Sequence, residues 1–205
     1  MIEFRMLNCD PLMDYIEGCK ITQGVSLLDD TKEKPVDIYS ELVKDIFFQR
    51  QHNDDKVVEW WLRQIVANHS TMRSIRFRMV AKAPKSVVMQ IIRATKGHPQ
   101  PEVQSSRPDW CGKERSGDPY EEIWFLQDHT CESFIEMCKQ RLCARTEERT
   151  RQFMNSAVFK LIEKGGFFKA LGLCCKPACG WLRGCPELKS CGKCEKLSDG
   201  FIEKS

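Results

Sequence analysis

The 205-residue chain lacks a run of 18 apolar residues, so no stretch reads as a membrane-spanning helix. Its most hydrophobic stretches, such as Ser86-Val-Val-Met-Gln-Ile-Ile92, are far too short. It also lacks a strong charge imbalance: 32 Lys and Arg against 29 Asp and Glu give +3, which excludes the broad basic footprint of a non-specific nucleic-acid binder. Any phosphate site must therefore be local. Glycine-rich P-loop and dinucleotide fingerprints are missing, and the four histidines (His52, His69, His98, His129) include no His-Glu-x-x-His pair. A bound nucleotide would have to be held by side chains and helix ends. The first ten residues carry Glu3, Arg5 and Asp10 and no apolar leader core, so a soluble, cytoplasmic protein without membrane or nucleic-acid-polymer partners is expected.

Apolar material suffices for a core, at 41% hydrophobic against 30% charged residues. The length suits one domain with an appendage, read as a domain over 1–170 and a cysteine-rich tail over 171–205. Alternation predicts strands at Ile2–Leu7, 74–80 and Tyr120–Gln127. Asp10-Pro11 predicts a helix opening and running to about Cys19, and residues 22–36 read as loop. A helix from Asp54-Asp55 to Asn68-His69 carries Val57, Val58, Trp61, Leu62, Ile65 and Val66 as its core face. Pro84 opens the next helix, on which Gln90 and Arg93 share a face away from the apolar stripe. Thr130 is expected to cap one long helix that reaches Lys164, where Gly165-Gly166 stops it. The fold class is α+β: an antiparallel or mixed sheet packed with long helices.

Three constellations can carry chemistry. Gln90 and Arg93, followed by Glu102, Ser105 and Arg107 after the break Gly97-His-Pro-Gln-Pro101, offer a guanidinium fork, neutral hydrogen bonds and a carboxylate to an anionic planar ligand. Solvated turn residues would look the same. Arg141-Leu-Cys-Ala-Arg-Thr-Glu-Glu-Arg-Thr-Arg151 could span a nucleotide, since ten helical residues rise about 15 Å. It could equally be an exposed charge ladder. Six of the twelve cysteines crowd between Cys174 and Cys194. There Cys179, Cys185, Cys191 and Cys194 could converge on zinc or an Fe–S cluster, with reduced thiols or a redox pair as the alternative.

Taken in order, these segments resemble the flavin-dependent thymidylate synthase (ThyX) family. His69-Ser-Thr71 is similar to its His-x-Ser/Thr segment, Gln90-Ile-Ile-Arg93 to the Gln-x-x-Arg that leads its signature, and Glu102-Val-Gln-Ser105-Ser-Arg107 to the signature's closing Glu-x-Ser-x-Arg. Arg141 to Arg151 resembles Arg-Leu-Cys-x-Arg-Ala-Gln-Trp-Glu-Ile-Arg, and the tail pieces Gly184-Cys-Pro-Glu187 and Ser190-Cys-Gly192 have family counterparts. The resemblance implies a homotetramer with sites between subunits, binding FAD and dUMP, with NADPH and methylenetetrahydrofolate as cosubstrates and dTMP as product. It implies nucleotide contacts from Gln90, Arg93, Glu102, Ser105, Arg107 and Arg151, with Ser105 and Arg151 at the reacting pyrimidine. His69, Thr71, Arg93 and Arg141 would lie toward the flavin. The signature's Arg-His-Arg stands here as Arg93-Ala94-Thr95, and Arg93 to Arg107 spans two positions more than in the family. Two further readings follow from that change: a paralogue that modifies C5 of another pyrimidine nucleotide, for example by hydroxymethylation, and a non-catalytic nucleotide- or metal-binding relative.

Overall fold

A computed structural model describes residues 3–7, 11, 14–15, 55–95, 101–105, 117–182 and 184–193. Its centre is a four-stranded antiparallel sheet of β1 (Glu3–Leu7), β2 (Arg76–Pro84), β3 (Glu102–Val103) and β4 (Glu122–Thr130), in the order β1-β2-β4-β3. The α-helices described along their whole length are α1 (Asp55–Ala67), α2 (Lys85–Ala94), α3 (Cys131–Arg141), α4 (Glu148–Lys164), α5 (Gly166–Cys174) and α6 (Ala178–Leu182). The fold is thus mixed α+β, as composition and periodicity predict. Among the described residues no helix is long and apolar enough to cross a membrane.

The strands form because their period-two pattern gives the sheet one apolar face. On β2, Phe77, Met79, Ala81 and Ala83 are buried, and on β4 so are Ile123, Phe125, Gln127 and His129. The register pairs Phe77 with His129, Met79 with Gln127 and Ala81 with Phe125, so these side chains share that face. The other face brings Arg78 against Asp128 in a two-pronged ion pair, Nε–Oδ1 at 2.6 Å and Nη2–Oδ2 at 2.9 Å. The Arg78 hydrogen bond and charge hold the Asp128 carboxyl below its usual range, against a smaller opposing effect of burial. β2 is longer than alternation of large residues predicts, because Ala81 and Ala83 continue the inward face with small side chains. Pro84 ends that strand and precedes α2 instead of lying in its first turn, and the freed Lys85 and Ser86 N–H groups donate to Glu121 and Pro119 carbonyls at 2.9 Å each.

The single helix expected from Thr130 to Lys164 is two. Its start is as predicted: Thr130 caps α3 in a reciprocal capping box with Ser133. The break at 142–147 is built by local hydrogen bonds, the Thr146 hydroxyl donating to the Gln140 carbonyl at 2.8 Å and the Thr146 N–H to the Cys143 carbonyl at 2.9 Å. Glu147 then accepts from Arg149 N–H at 3.1 Å, Thr150 N–H at 2.8 Å and the Thr150 hydroxyl at 2.7 Å, which starts α4 afresh. Gly165 does stop α4, at φ 80°.

Helices α1, α4 and α5 complete the core around Trp61, whose ring meets Phe167 edge-on at 5.0 Å and Tyr15 at 5.6 Å. Val66, expected on the core face of α1, is 60% exposed instead. The core runs on through Leu171, Cys174 and Cys175. Helix α5 approaches α4 closely at Gly172, where an added Cβ would sit 2.6 Å from Ile162 Cγ1 and 3.3 Å from the Val158 carbonyl oxygen. Gly172→Ala is therefore expected to lower stability by about 1–3 kcal/mol in urea denaturation, despite alanine's better helix propensity. The strand expected over Ile2–Leu7 is observed as β1 from Glu3 to Leu7, Ile2 lying outside the described residues, and Pro11, Asp14 and Tyr15 are helical as predicted. The rest of that helix to Cys19 and the loop 22–36 lie outside the described residues.

Candidate functional site

The C-terminal end of α3, the 142–147 turn, α2 and the cysteine-rich segment after α5 enclose a cleft of about 730 Å³. That volume suits a nucleotide-sized ligand. Gln90 reaches it from α2, and Arg141 lines it from the end of α3. Arg93 lies one turn beyond Gln90 and is exposed. Burial lowers the affinity of the Arg141 guanidinium for its proton, and the nearby positive charge of Arg93 lowers it further. Arg141 Nε is buried without a hydrogen-bond partner, and among the described residues no carboxylate pairs with Arg141 or Arg93. A half-buried cation facing a second cation is costly unless an anion joins them.

Further charge comes from residues that carry no role of their own in the sequence. Lys139, Arg145 and Lys193 line the cleft, opposed by Glu147 and Glu187. Lys139 also stacks over the Trp181 ring at 5.3 Å, which ties α6 to α3. The Arg145 guanidinium donates to the Lys189 carbonyl, tying the tail to the turn. Arg145 was visible in the arginine-rich run, but nothing in its spacing showed that the helix breaks there and turns it toward the tail. A Thr-Glu-Glu before a new apolar period, here Thr146-Glu147-Glu148, is the capping signal that could have revealed the break.

The expected site residues separate into groups. Gln90, Arg93 and Arg141 come together. Arg151 lies in the first turn of α4 with its Nε buried and unpartnered, and it does not line the cleft. Glu102 and Ser105 belong to the sheet edge around β3. Glu102 pairs in register with Leu126, and its charge is felt by Arg78, so it lies on the face away from Gln127 and α2. Trp124 N–H donates to Gln104 Oε1 at 3.1 Å, fixing that edge. His69 precedes the short 3-10 turn Ser70–Ser74, and Thr71 lies within it, its hydroxyl buried without a partner. This turn packs beside the start of α3, where Arg73 meets Glu132 at 3.7 Å. His69 and Thr71 are thus near the opposite end of α3 from Arg141, a helix rise of about 14 Å away. Arg107 and Cys194 lie outside the described residues.

No protein-family model matches the chain, and neither does any curated protein. Its chemistry must therefore be argued from its own residues.

One such residue is Gln127, buried on β4. Its Nε2 donates to Thr95 Oγ1 at 2.6 Å, and that hydroxyl donates to the Ile91 carbonyl at 3.1 Å. The pair fastens the end of α2 to the sheet, two residues from Arg93. Glutamine in a strand pattern gave no sign of this role. Glu147 matters likewise, as the residue that divides α3 from α4. Burial alone would raise its carboxyl, but the Thr150 and Arg149 hydrogen bonds and the Arg149 charge hold it below its ordinary value. Its capping contribution is therefore full above the unfolded-state value and fades as pH falls through the folded one. Glu147→Gln should be less stable than wild type by about 1 kcal/mol at neutral pH. The gap should close in acid, as checked by paired denaturation curves.

Of the proposed metal ligands, Cys179, Cys185 and Cys191 line the cleft. Among the described residues, no three His, Cys, Asp or Glu side chains are gathered closely enough to hold a metal.

Proposed function

We propose that the protein is an enzyme of the flavin-dependent thymidylate synthase type, which methylates C5 of dUMP to give dTMP. The observation that carries this reading is the meeting of two segments about 50 positions apart in sequence, Gln90–Arg93 and Arg141, at one cationic cleft. Gln90–Arg93 resembles the lead of the family's nucleotide-binding signature; Arg141, which the resemblance puts toward the flavin, is here assigned to the nucleotide because it lines the same cleft as Gln90. Arg141, half-buried and lacking an anionic partner, fits a phosphate-bearing ligand. Bound flavin would supply the reducing equivalents that NADPH delivers, with methylenetetrahydrofolate as the one-carbon donor.

The chain's own residues do the rest by binding and orienting. Gln90 supplies neutral hydrogen bonds, Arg93 and Arg141 bring charge to phosphate, and the Gln127–Thr95 pair steadies the helix end that carries Arg93. Glu102, Ser105 and Arg107 would complete the nucleotide site from a neighbouring subunit of a homotetramer. That arrangement accounts for Glu102 lying on the sheet face turned away from α2 within one chain. Arg151, which does not line this cleft within one chain, would likewise reach the pyrimidine from a neighbouring subunit and stabilise charge developing on its carbonyl. His69 and Thr71 would serve the flavin from the other end of α3, with the Thr71 hydroxyl available as donor and acceptor.

The test is the absorption spectrum of the protein as isolated, with a flavin-to-chain ratio, followed by rescue of a thymidine auxotroph. A flavin band with rescue supports the reading. A colourless protein that takes up no added FAD contradicts it, and a flavoprotein that fails to rescue shifts the substrate to another pyrimidine nucleotide.

A further inference from the structure

One wall of the cleft is built unlike the others. Gln90 and Arg141 stand on α2 and α3, whose inward faces are sealed in the core. Pro177, Cys185, Glu187 and Lys193 instead follow α5 on a run whose only regular piece among the described residues is the five-residue α6. The run leaves a fixed point: Cys174 and Cys175 are buried, and the Cys175 thiol donates to the Leu171 carbonyl at 3.2 Å. Beyond it, among the described residues of 176–193, only Gly184 is buried, and Leu188 is wholly exposed. A segment with so little buried surface opens far more readily than the core unfolds.

Two ties hold this run across the cleft. Lys139 of α3 stacks over the Trp181 ring at 5.3 Å, and the Arg145 guanidinium, on the 142–147 turn, donates to the Lys189 carbonyl. Both are contacts that water can replace: Arg145 is exposed, and Lys139 has a second partner in Glu136. We propose that the segment 176–193 is a strap that lifts from the cleft to admit a ligand and closes over it, with Arg145 as its latch. Lys176-Pro177, between the buried Cys175 and the start of α6, is the point about which it turns. Closing brings Glu187 and Lys193 onto the cleft and excludes water from the Arg141 guanidinium, which strengthens its hold on an anion. The inference deepens the nucleotide reading and rests on it only for the identity of what enters; the lifting itself belongs to the free chain.

The test reads the strap through a thiol on the facing wall. Cys143 is half-buried on the turn that bears the latch and lines the cleft, whereas Cys138 and Cys174 are buried in the core. The reduced full chain is treated with iodoacetamide, a neutral reagent, and alkylation of each cysteine is followed by peptide mass mapping. Arg145→Ala should speed Cys143 alkylation about tenfold, since losing a charge-assisted hydrogen bond raises the open population. Cys138 and Cys174 should stay unlabelled over the same time. Removing a neighbouring cation by itself makes a thiolate rarer and slows the reaction, so the sign separates opening from electrostatics. Lys139→Ala, which releases the other tie, should also speed Cys143, and Arg145→Lys, which keeps a donor, should lie near wild type. Saturating dUMP should slow Cys143 alkylation in wild type. Acceleration in the variants without protection by dUMP upholds the strap and contradicts the nucleotide reading instead. Wild-type alkylation of Cys143 in both Arg145→Ala and Lys139→Ala overturns the strap. So does labelling of Cys138 and Cys174 in step with Cys143, because that is opening of the whole fold.

Discussion

Arg141→Ala is expected to bind dUMP about 10- to 100-fold more weakly than wild type while folding as well or slightly better. The loss follows from removing charge-assisted hydrogen bonds to an anion, each worth about 1.5–3 kcal/mol. The preserved stability follows from the free state: the Arg141 guanidinium is half-buried, its Nε has no partner, and Arg93 repels it. Removing such a group relieves a desolvated cation and breaks no pair. Arg141→Lys should fall between, because an ammonium keeps the charge and loses the planar fork. Calorimetric titration with dUMP beside thermal denaturation reads both quantities, and dUMP affinity unchanged in Arg141→Ala removes this residue from the nucleotide site.

Arg151→Ala should be the larger effect on turnover, a loss of about 100-fold or more in dTMP formation, with stability changed by less than about 0.5 kcal/mol. Its Nε is buried without a partner, and its backbone N–H is satisfied by the Glu147 carbonyl at 3.0 Å, which the alanine backbone retains. Nothing in the described fold needs the guanidinium, so its presence at a half-buried position is better explained by a ligand. The expected signature is a fall in kcat with dUMP binding changed much less than in Arg141→Ala. Equal loss of binding in both variants would make Arg151 a binding group without a separate part in the reaction.

Patterns of large apolar residues revealed the strands, α1 and the inward stripe of α2, because burial of one face dictates period two or 3.6. They failed where a local hydrogen bond outweighed periodicity. The apolar stripe stops at Ala144 and resumes only at Phe153, a gap that reads as an exposed helical face, yet Thr146 and Glu147 spend their side chains on backbone groups there and split the helix. That break puts Arg141, Cys143 and Arg145 at the rim of the cleft beside the tail. Gln90, Arg93 and Arg141 were legible as chemistry-bearing because Gln90 and Arg93 share a polar helix face and Arg141 opens an arginine-rich run. Their proximity was not, since it depends on how α2 packs against α3 and α4. The opposite placement of Glu102 and of His69 with Thr71 is likewise a matter of strand register and helix length, which motif spacing does not encode. The cysteine tail announced itself by composition, but that Cys143 lines the same cleft as the tail cysteines needed the fold.

A uridine nucleotide is expected to occupy the cleft between α2 and the 142–147 turn. Photocrosslinking with 5-iodo-dUMP on the intact protein, followed by mass mapping of the labelled peptides, tests this most directly. Labels should fall in the segments 85–95 and 139–151, be suppressed by excess dUMP, and weaken in Arg141→Ala. Labelling confined to segments remote from that cleft, or labelling that dUMP does not compete, would contradict it.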